Sequence, residues 1–439
     1  MVYTHAHPYT PLLTLLSTQL PYSGPLLRRI QYAVSNPSPT GTGYVLASFP
    51  EDAVPVTNPS STPSPGLDSD SDSDSDSNPP WLASYVDVNR GPDTQVWIYS
   101  SLESASSNKN GLSTTEDSQG NALGHFDPGV TSQKKEVVKS QLLDLFTYTR
   151  KTLIPPYLDW LASKQSVSAQ SPVPGAVAVA VKDQGVPKIP THRPTSILLG
   201  TIHIGLVALI VEIQAESKSK SEPESESRKP KPKLKIHRGE KVFYVKYCFP
   251  AEAFDISTAV LERSAENQKS NADANETGSF RFHDSNGNYG IQETHIDLVT
   301  SRTNIPRSKE ALLAMGGVAL FHDAPDSAPE KPNHGEEELP IAWAFLGFDG
   351  SLCSLHVEPE FRGRGLAAIV GREVMKNGVG RFETGTVKLK QANGEKEKEW
   401  FFADVAVENL ASRRVMEKMG GLVGWTISWM VVEVFPEGS

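Results

Sequence analysis

The chain has 439 residues, of which 38% are hydrophobic and 21% charged, with a formal net charge of −10 and two cysteines. This length suits two or three domains, and two cysteines exclude a disulfide scaffold or a cysteine-rich zinc site and fit a reducing compartment. The acidic balance excludes nucleic-acid binding as the main activity; Asp68, Asp70, Asp72, Asp74 and Asp76 of one Ser-Asp run supply five of the charges, so the rest of the chain is only mildly acidic.

At the N-terminus no charged segment precedes a long apolar core, so no secretory signal is expected. Residues 1–50 hold no Asp or Glu, a trait of mitochondrial transit peptides. Arginine is confined to Arg28 and Arg29, however, and Pro8, Pro11, Pro21 and Pro25 interrupt any helix there. The expected location is cytoplasmic, with nucleus and mitochondrion left open.

Along the first half, Leu12–Leu20 and Pro25–Val34 are expected to be helical, and Gly43–Phe49, Trp81–Val88 and Gln95–Ser100 to be strands. Glu136–Leu153 has Val137, Val138, Leu142, Leu143, Leu145 and Phe146 on or near one helical face. Ser196–Ile213 contains an apolar run too short to span a bilayer, which suggests one or two buried strands. Lys241–Tyr247 adds another. Segments of about 58–80, 104–119, 216–235 and 324–338 are rich in Ser, Pro and charge. They cannot bury enough apolar surface to offset chain entropy, and are expected to be disordered inserts on a compact scaffold.

The second half carries the most informative stretch. Pro340–Leu346 reads as a strand, Asp349-Gly350 as a hairpin turn, and Leu352–Val357 as the returning strand. Arg362-Gly363-Arg364-Gly365-Leu366-Ala367 then leads into Leu366, Ile369, Val370 and Val374 at helical spacing. A strand feeding a glycine turn into a helix N-terminus points several N–H groups at one place, with the positive end of the helix dipole behind them. Glycine removes the Cβ atoms that would hold an anion away and allows positive φ. The implied ligand is a pyrophosphate. A P-loop would need Gly-Lys-Ser/Thr, and Leu366-Ala367 follows Gly365 instead. The dinucleotide fingerprint would need a third glycine, early in a βαβ unit. The remaining pattern, Arg/Gln-x-x-Gly-x-Gly/Ala, is matched at every fixed position. Beyond the loop, Trp400–Val407 reads as a strand, Asn409 as a helix start, Gly420-Gly421 as its end, and Val423–Phe435 as a final strand or hairpin.

That loop and the order β-β-loop-α-β-α-β resemble the acyl-CoA site of the GNAT N-acetyltransferases over roughly Ile291–Phe435. The run Asn409 to Gly420 is similar to that family's last helix. Ala-Trp-Ala, Asp-Gly-Ser and Val-Glu-Pro-Glu-x-Arg-Gly-x-Gly-Leu are most similar to its glycine N-acyltransferase-like branch. The resemblance implies an α/β (α+β) GNAT fold with a mixed central sheet flanked by helices. Two GNAT-like halves in tandem are expected: residues 1–255 as a degenerate or accessory domain without a CoA loop, and 280–439 as the acetyl-CoA-binding domain.

The same resemblance implies that acetyl-CoA, or another acyl-CoA, is the co-substrate. Its pantetheine would run along the backbone of Leu355 and Val357. Its pyrophosphate would meet Arg362, Gly363, Arg364, Gly365, Leu366 and Ala367, with Asn409 and Ser412 nearby. No metal is expected. The expected reaction is direct transfer of the acyl group to a primary amine of a small molecule or amino acid, with no nucleic-acid or membrane partner. The family's Glu base and Tyr acid fall here on Ser351 and Met416, neither of which suits that proton chemistry. His356 lies on the same strand and titrates near neutrality, so His356 and Ser351 are the candidate catalytic residues. Asp349, Glu358 and Asp404 are further carboxylates close by. Two other functions stay open: a CoA-binding regulatory or scaffold protein that has lost transfer activity, and a peptide or protein N-acetyltransferase.

Overall fold

The computed structural model describes residues 1–37, 41–55, 79–104, 126–127, 129–168, 189–219, 232–254, 279–323, 338–382 and 399–435. Most of each proposed insert lies outside the described residues. Among the described parts of these inserts are Pro80, whose carbonyl accepts from Gln141, Ser104, which ends a short helix, Glu216–Ser219, which end another, Lys233–Lys235, which begin a strand, and Glu338, whose carboxylate accepts from Arg281 and from the Ser285 N–H.

Among the described residues, thirteen strands form one mixed sheet with helices on both faces. The first half supplies β1 (Tyr3–Thr4), α1 (Thr10–Ser17), α2 (Gly24–Ser35), β2 (Tyr44–Ala47), β3 (Leu82–Val86), β4 (Val96–Ser100), the short α3 (Ser101–Ser104), α4 (Ser132–Tyr148), α5 (Ile154–Ser168), β5 (Ile197–His203), α6 (Ile204–Ser219), β6 (Lys233–Arg238) and β7 (Phe243–Pro250). The second supplies β8 (Phe280–Arg281), α7 (Ile296–Ser301), α8 (Lys309–Met315), β9 (Gly317–His322), β10 (Ala342–Leu346), β11 (Ser351–Val357), α9 (Leu366–Gly378), β12 (Trp400–Ala406), α10 (Leu410–Lys418) and β13 (Leu422–Phe435).

The strand order is β1-β2-β3-β4-β5-β13-β7-β12-β11-β10-β9-β8, with β6 also on β13. β13, the last strand of the chain, pairs with β5 of the first half, while β7 of the first half pairs with β12 of the second. β7 and β13 then pair with each other. The two parts therefore exchange their final strands across the middle of the sheet. Each part also has one parallel contact that is broken early: β4 with β5 only at Val96/Leu199 and Trp97/Gly200, and β11 with β12 only at Ser351/Phe402 and Leu352/Ala403.

Several elements differ from expectation. Ser196–Ile213 is not strand throughout but β5 running directly into α6. Leu206, Val207, Leu209, Ile210 and Ile213 are all buried there, and a helix this apolar has no period that separates it from a buried strand. The helix expected to end at Leu153 passes through one wider turn (Thr149–Leu153) and continues as α5. Pro155 and Pro156 sit in the first turn of α5, where a missing N–H costs little. Of the two forms expected for Val423–Phe435, strand or hairpin, the chain takes the first: β13 is one 14-residue strand. β6 was not foreseen, and it lies end to end with β7 along one edge of β13. Between them the chain passes close to Trp429 at Gly239, where a Cβ would stand 2.0 Å from the Trp429 carbonyl oxygen.

Arg28 and Arg29 are buried on the sheet side of α2, and the Arg29 guanidinium lies 3.8 Å over the Tyr85 ring. Cys248 is buried and Cys353 half-buried; both are free thiols. No helix among the described residues is long and apolar enough to cross a membrane.

A titrating group sits where the first-half strands meet. His192 Nε2 is 3.0 Å from Gln95 Oε1, and Gln95 Oε1 also accepts from the Leu198 N–H at 3.0 Å. Burial pushes the His192 pKa down to about 4. The folded state therefore binds fewer protons than the unfolded state between about pH 6.5 and 4. Stability from this group is complete above the upper limit and is lost as pH falls through the window. Replacing His192 with Gln should flatten that part of the profile, as read from urea midpoints at pH 4, 5, 6 and 7. Identical profiles for the two proteins would exclude His192 as the cause.

Candidate active site

β11 is where the local sequence builds the site. Its pairing with β10 matches Phe345 with Cys353 and Trp343 with His356, so β11 carries one more residue than β10 between those pairs. The extra residue forms a bulge at Ser354, which has φ 50°. Past Leu352 the strand turns away from β12, and a wedge opens between them. His356 pairs with Trp343 of β10, and the Glu358 N–H donates to the Ile341 carbonyl at 2.8 Å. By alternation, the main-chain groups of Leu355 and Val357 face the wedge. A pantetheine pairing along this edge needs both residues' main-chain groups free, but the Val357 carbonyl accepts from Arg362 Nε at 2.9 Å.

Beyond β11, a single 3-10 turn (Pro359–Phe361) leads into the loop. Gly363 has φ 80° and Gly365 φ 79°, and Gly365 is the N-cap of α9. Among the described residues the backbone N–H groups of Gly363, Arg364, Gly365, Leu366 and Ala367 donate to nothing. An ideal Cβ on either glycine would meet no atom within 4 Å, so the space in front of those donors is open. α9 holds the loop in place. Leu366, Val370, Val374 and Met375 are buried against β10 and β11 in the same core cluster as Leu346 and Leu352.

The charged side chains of the loop do not all point into it. Arg362 ties the loop back to Val357, and the Arg364 guanidinium lies 5.5 Å over the Phe361 ring. Across the wedge, Asn409 is the N-cap of α10: its Oδ1 accepts from the Ser412 N–H at 3.1 Å. Met416 is sealed in the core. Close to it Tyr247 of β7 lies fully buried, its hydroxyl 3.3 Å from Glu417 Oε1 and from Arg413 Nε. Burial and the Glu417 carboxylate hold the Tyr247 hydroxyl above its ordinary range.

The two candidate catalytic residues stand apart. Ser351 lies in the paired part of β11 with its hydroxyl buried and without a hydrogen bond. His356 lies past the bulge. It stacks on Trp343 with ring centroids 4.6 Å apart. It also lines a cavity of ≈ 80 Å³ with Val299, Arg302, Thr303, Trp343, Ser354 and Leu355. His356 Nε2 is buried without a hydrogen bond and lies 3.7 Å from Glu358 Oε2, beyond hydrogen-bond range. Burial lowers the His356 pKa; Glu358 opposes that shift, while Arg362 and Arg302 reinforce it. Arg302, just after α7, donates through Nε to Glu358 Oε1 at 2.8 Å. Sequence reading missed Arg302, which lies 56 residues from Glu358 in the chain.

Asp349 accepts from the Trp97 indole N–H at 3.0 Å and from the Ser351 N–H at 3.1 Å, and so fastens the turn before β11 to the first half. Asp404 of β12 pairs with buried Lys246 of β7, Nζ to Oδ1, at 2.5 Å. Among the described residues no cluster of His, Cys, Asp and Glu has the form of a metal site.

A mixed sheet flanked by helices, with a wedge between two parallel strands and a glycine loop at a helix N-terminus, is the GNAT fold. A family model described as the N-terminal domain of the acyl-CoA N-acyltransferase verG matches residues 1–247, more than half of the chain, and the chain belongs to that family of acyl-CoA N-acyltransferases within the GNAT superfamily. A comparison with curated proteins gives no match. Among solved structures, a Drosophila protein is similar at 11% identity with a TM-score of 0.45, over 100% of this chain and 99% of that one. A putative acetyltransferase from the GNAT family of Novosphingobium aromaticivorans is similar at 15% identity with a TM-score of 0.26, over 49% of this chain and 73% of its own. A GCN5-related N-acetyltransferase from Kribbella flavida is similar at 11% identity with a TM-score of 0.24, over 55% of this chain and 68% of its own.

Proposed function

We propose that the chain transfers an acyl group, acetyl in the first instance, from acyl-CoA to the primary amine of a small molecule or amino acid. The observation that carries this reading is the run of five N–H groups without acceptors at Gly363–Ala367, facing open space at the end of the wedge. A pyrophosphate accepts such donors directly. The pantetheine amides would pair with Leu355 and with the Val357 N–H as an added strand does. This brings the thioester to the bulge, beside the cavity that His356 lines. Positioning supplies much of the rate, and the amine must still lose a proton before or as it attacks.

His356 is the base in this reading. A lowered pKa leaves it neutral at pH 7 and able to accept that proton. kcat/KM should therefore stay level from pH 8 to below pH 6.5, the ordinary imidazole value, and fall only at more acid pH. His356→Gln should lower it by about 100-fold or more at pH 7.5. Free-thiol release from acetyl-CoA, assayed with a panel of amines and amino acids, measures both. Full activity in His356→Gln would remove the residue from this role. A second reading, a CoA-binding protein without transfer activity, draws on Met416 in the core and the sequestered Ser351 hydroxyl. Thermal stabilisation by acetyl-CoA with no thiol release on any amine would favour it.

A further inference from the structure

We propose that Glu358, held in place by Arg302, is the residue that orients His356 and stabilises its charged form during transfer. The proposal rests on the reading of His356 as the base and adds two positioning residues to it.

Four observations converge. The Glu358 backbone is fixed, because its N–H donates to Ile341 of β10 and its carbonyl accepts from the Phe361 N–H at 3.0 Å. Its side chain is also fixed: Oε1 takes the Arg302 Nε–H, and the two side chains are only 12% and 19% exposed. The second carboxylate oxygen faces His356 Nε2, which is buried and has no other partner. Trp343 stacks on the ring from the β10 side and sets its plane. With Nε2 turned to Glu358, Nδ1 is the nitrogen left for an incoming amine.

The charged groups around the ring come from three places. Glu358 follows β11, Arg362 belongs to the glycine loop, and Arg302 follows α7; Trp343 of β10 contributes no charge. Arg362 donates to the Val357 carbonyl and Arg302 to Glu358 itself, so among the described residues Glu358 is the carboxylate nearest the ring.

In the step proposed, the amine nitrogen attacks the thioester carbonyl carbon as its proton passes to His356 Nδ1. The C–S bond breaks and the electron pair leaves on the CoA sulfur. Nε2 bears its proton throughout and closes from 3.7 Å onto Glu358 as the ring becomes positive, and Glu358 stays ionised. The imidazolium then returns the Nδ1 proton to the thiolate or to water. A charge-assisted pair of this kind is shorter and stronger than a neutral one, so it favours the charged ring over the neutral one.

The test is Glu358→Gln in the full-length protein, with Glu358→Asp and Arg302→Lys alongside. Three results are expected of Glu358→Gln. The His356 ring, followed by NMR, should titrate at lower pH than in the parent protein, because the anion that favoured its charged form is gone. The acid limb of kcat/KM should move to lower pH with it. At pH 7.5 kcat should fall about 10-fold, with KM for acetyl-CoA unchanged. Glu358→Asp should recover part of the loss, and Arg302→Lys should lose less than Glu358→Gln. If Glu358→Gln does not fold, the titration of His356 in Arg302→Lys gives the same reading at smaller amplitude. An unchanged His356 titration and an unchanged pH profile would overturn the proposal. His356→Gln at full activity would instead overturn the reading beneath it, and the NMR titration separates the two because it needs no turnover.

Discussion

Replacing Gly363 and Gly365 together with valine is expected to abolish acetyl-CoA binding while leaving the fold intact. Two separate costs produce the effect. Both glycines have left-handed backbone, φ 80° and 79°, and an L-residue there loses about 1–2 kcal/mol. A β-branched side chain tolerates that region least of all. The chain relieves this strain by moving the loop, which scatters the five N–H groups that now converge. The second cost falls on the ligand. An added Cβ meets nothing of the protein within 4 Å, so it projects into the open space where the pyrophosphate would lie. Displacing a doubly charged group from several N–H donors and a helix N-terminus should raise Kd at least 100-fold, about 2.7 kcal/mol. Titration calorimetry with acetyl-CoA measures this directly. The thermal midpoint should fall by only a few degrees, since neither glycine packs against a neighbour. Unchanged affinity in a folded double variant would mean that the loop is not the cofactor site.

How far that loop was legible in the sequence, and why other parts were not, follows from the range of the interactions involved. The Arg362–Ala367 loop, β10, β11, α9 and the Asn409 cap are set by residues within a few positions of one another, and their patterns survive in a one-dimensional reading. The exchange of β7 and β13 does not, since both read simply as apolar strands and nothing in either names its neighbour. α6 was misread for a related reason: most of its outer face is apolar as well, with Ile204, Ala208 and Val211 less buried than Leu206, Val207 and Ile210, so its helical period does not show in the sequence. The Ser354 bulge leaves no mark in composition, yet it turns β11 from β12 and carries His356 away from Ser351. Arg302 meets Glu358 only because α7 packs beside β10 and β11. His356 and Glu358 are both legible in the sequence as candidate bases; what the sequence does not carry is that their side chains lie 3.7 Å apart, Nε2 to Oε2.

The second large effect is expected at the centre of the sheet, where the exchanged strands meet. Lys246 of β7 lies directly opposite Asp404 of β12, with the lysine side chain 0% and the aspartate 8% exposed. Replacing Asp404 with Ala leaves the ammonium buried without its paired carboxylate, with the Phe402 and Trp425 rings at 5.4 and 5.9 Å and Glu103 lining the same small cavity. Breaking a buried pair in this way costs about 3–5 kcal/mol, a large part of the ~5–15 kcal/mol that holds a typical domain together. Lys246→Met should behave differently with pH. Burial holds the Asp404 carboxyl above the usual carboxylate range, and Lys246 opposes that shift. Without the lysine the pKa rises further. The folded state of Lys246→Met then binds a proton that the unfolded state has released, across a window opening just above the ordinary value of 3.8. Stability relative to the parent is retained below that window and lost as pH rises through it. Lys246→Met should therefore be less damaging at pH 5 than at pH 8. The double replacement Lys246→Met/Asp404→Leu removes both charges and should recover most of the loss, since a packed apolar pair is often as stable as a buried ionic one. Urea midpoints of the four proteins at the two pH values form a complete cycle. Additive losses, or a Lys246→Met cost that does not change with pH, would show that the pair contributes no coupling across the β7–β12 seam.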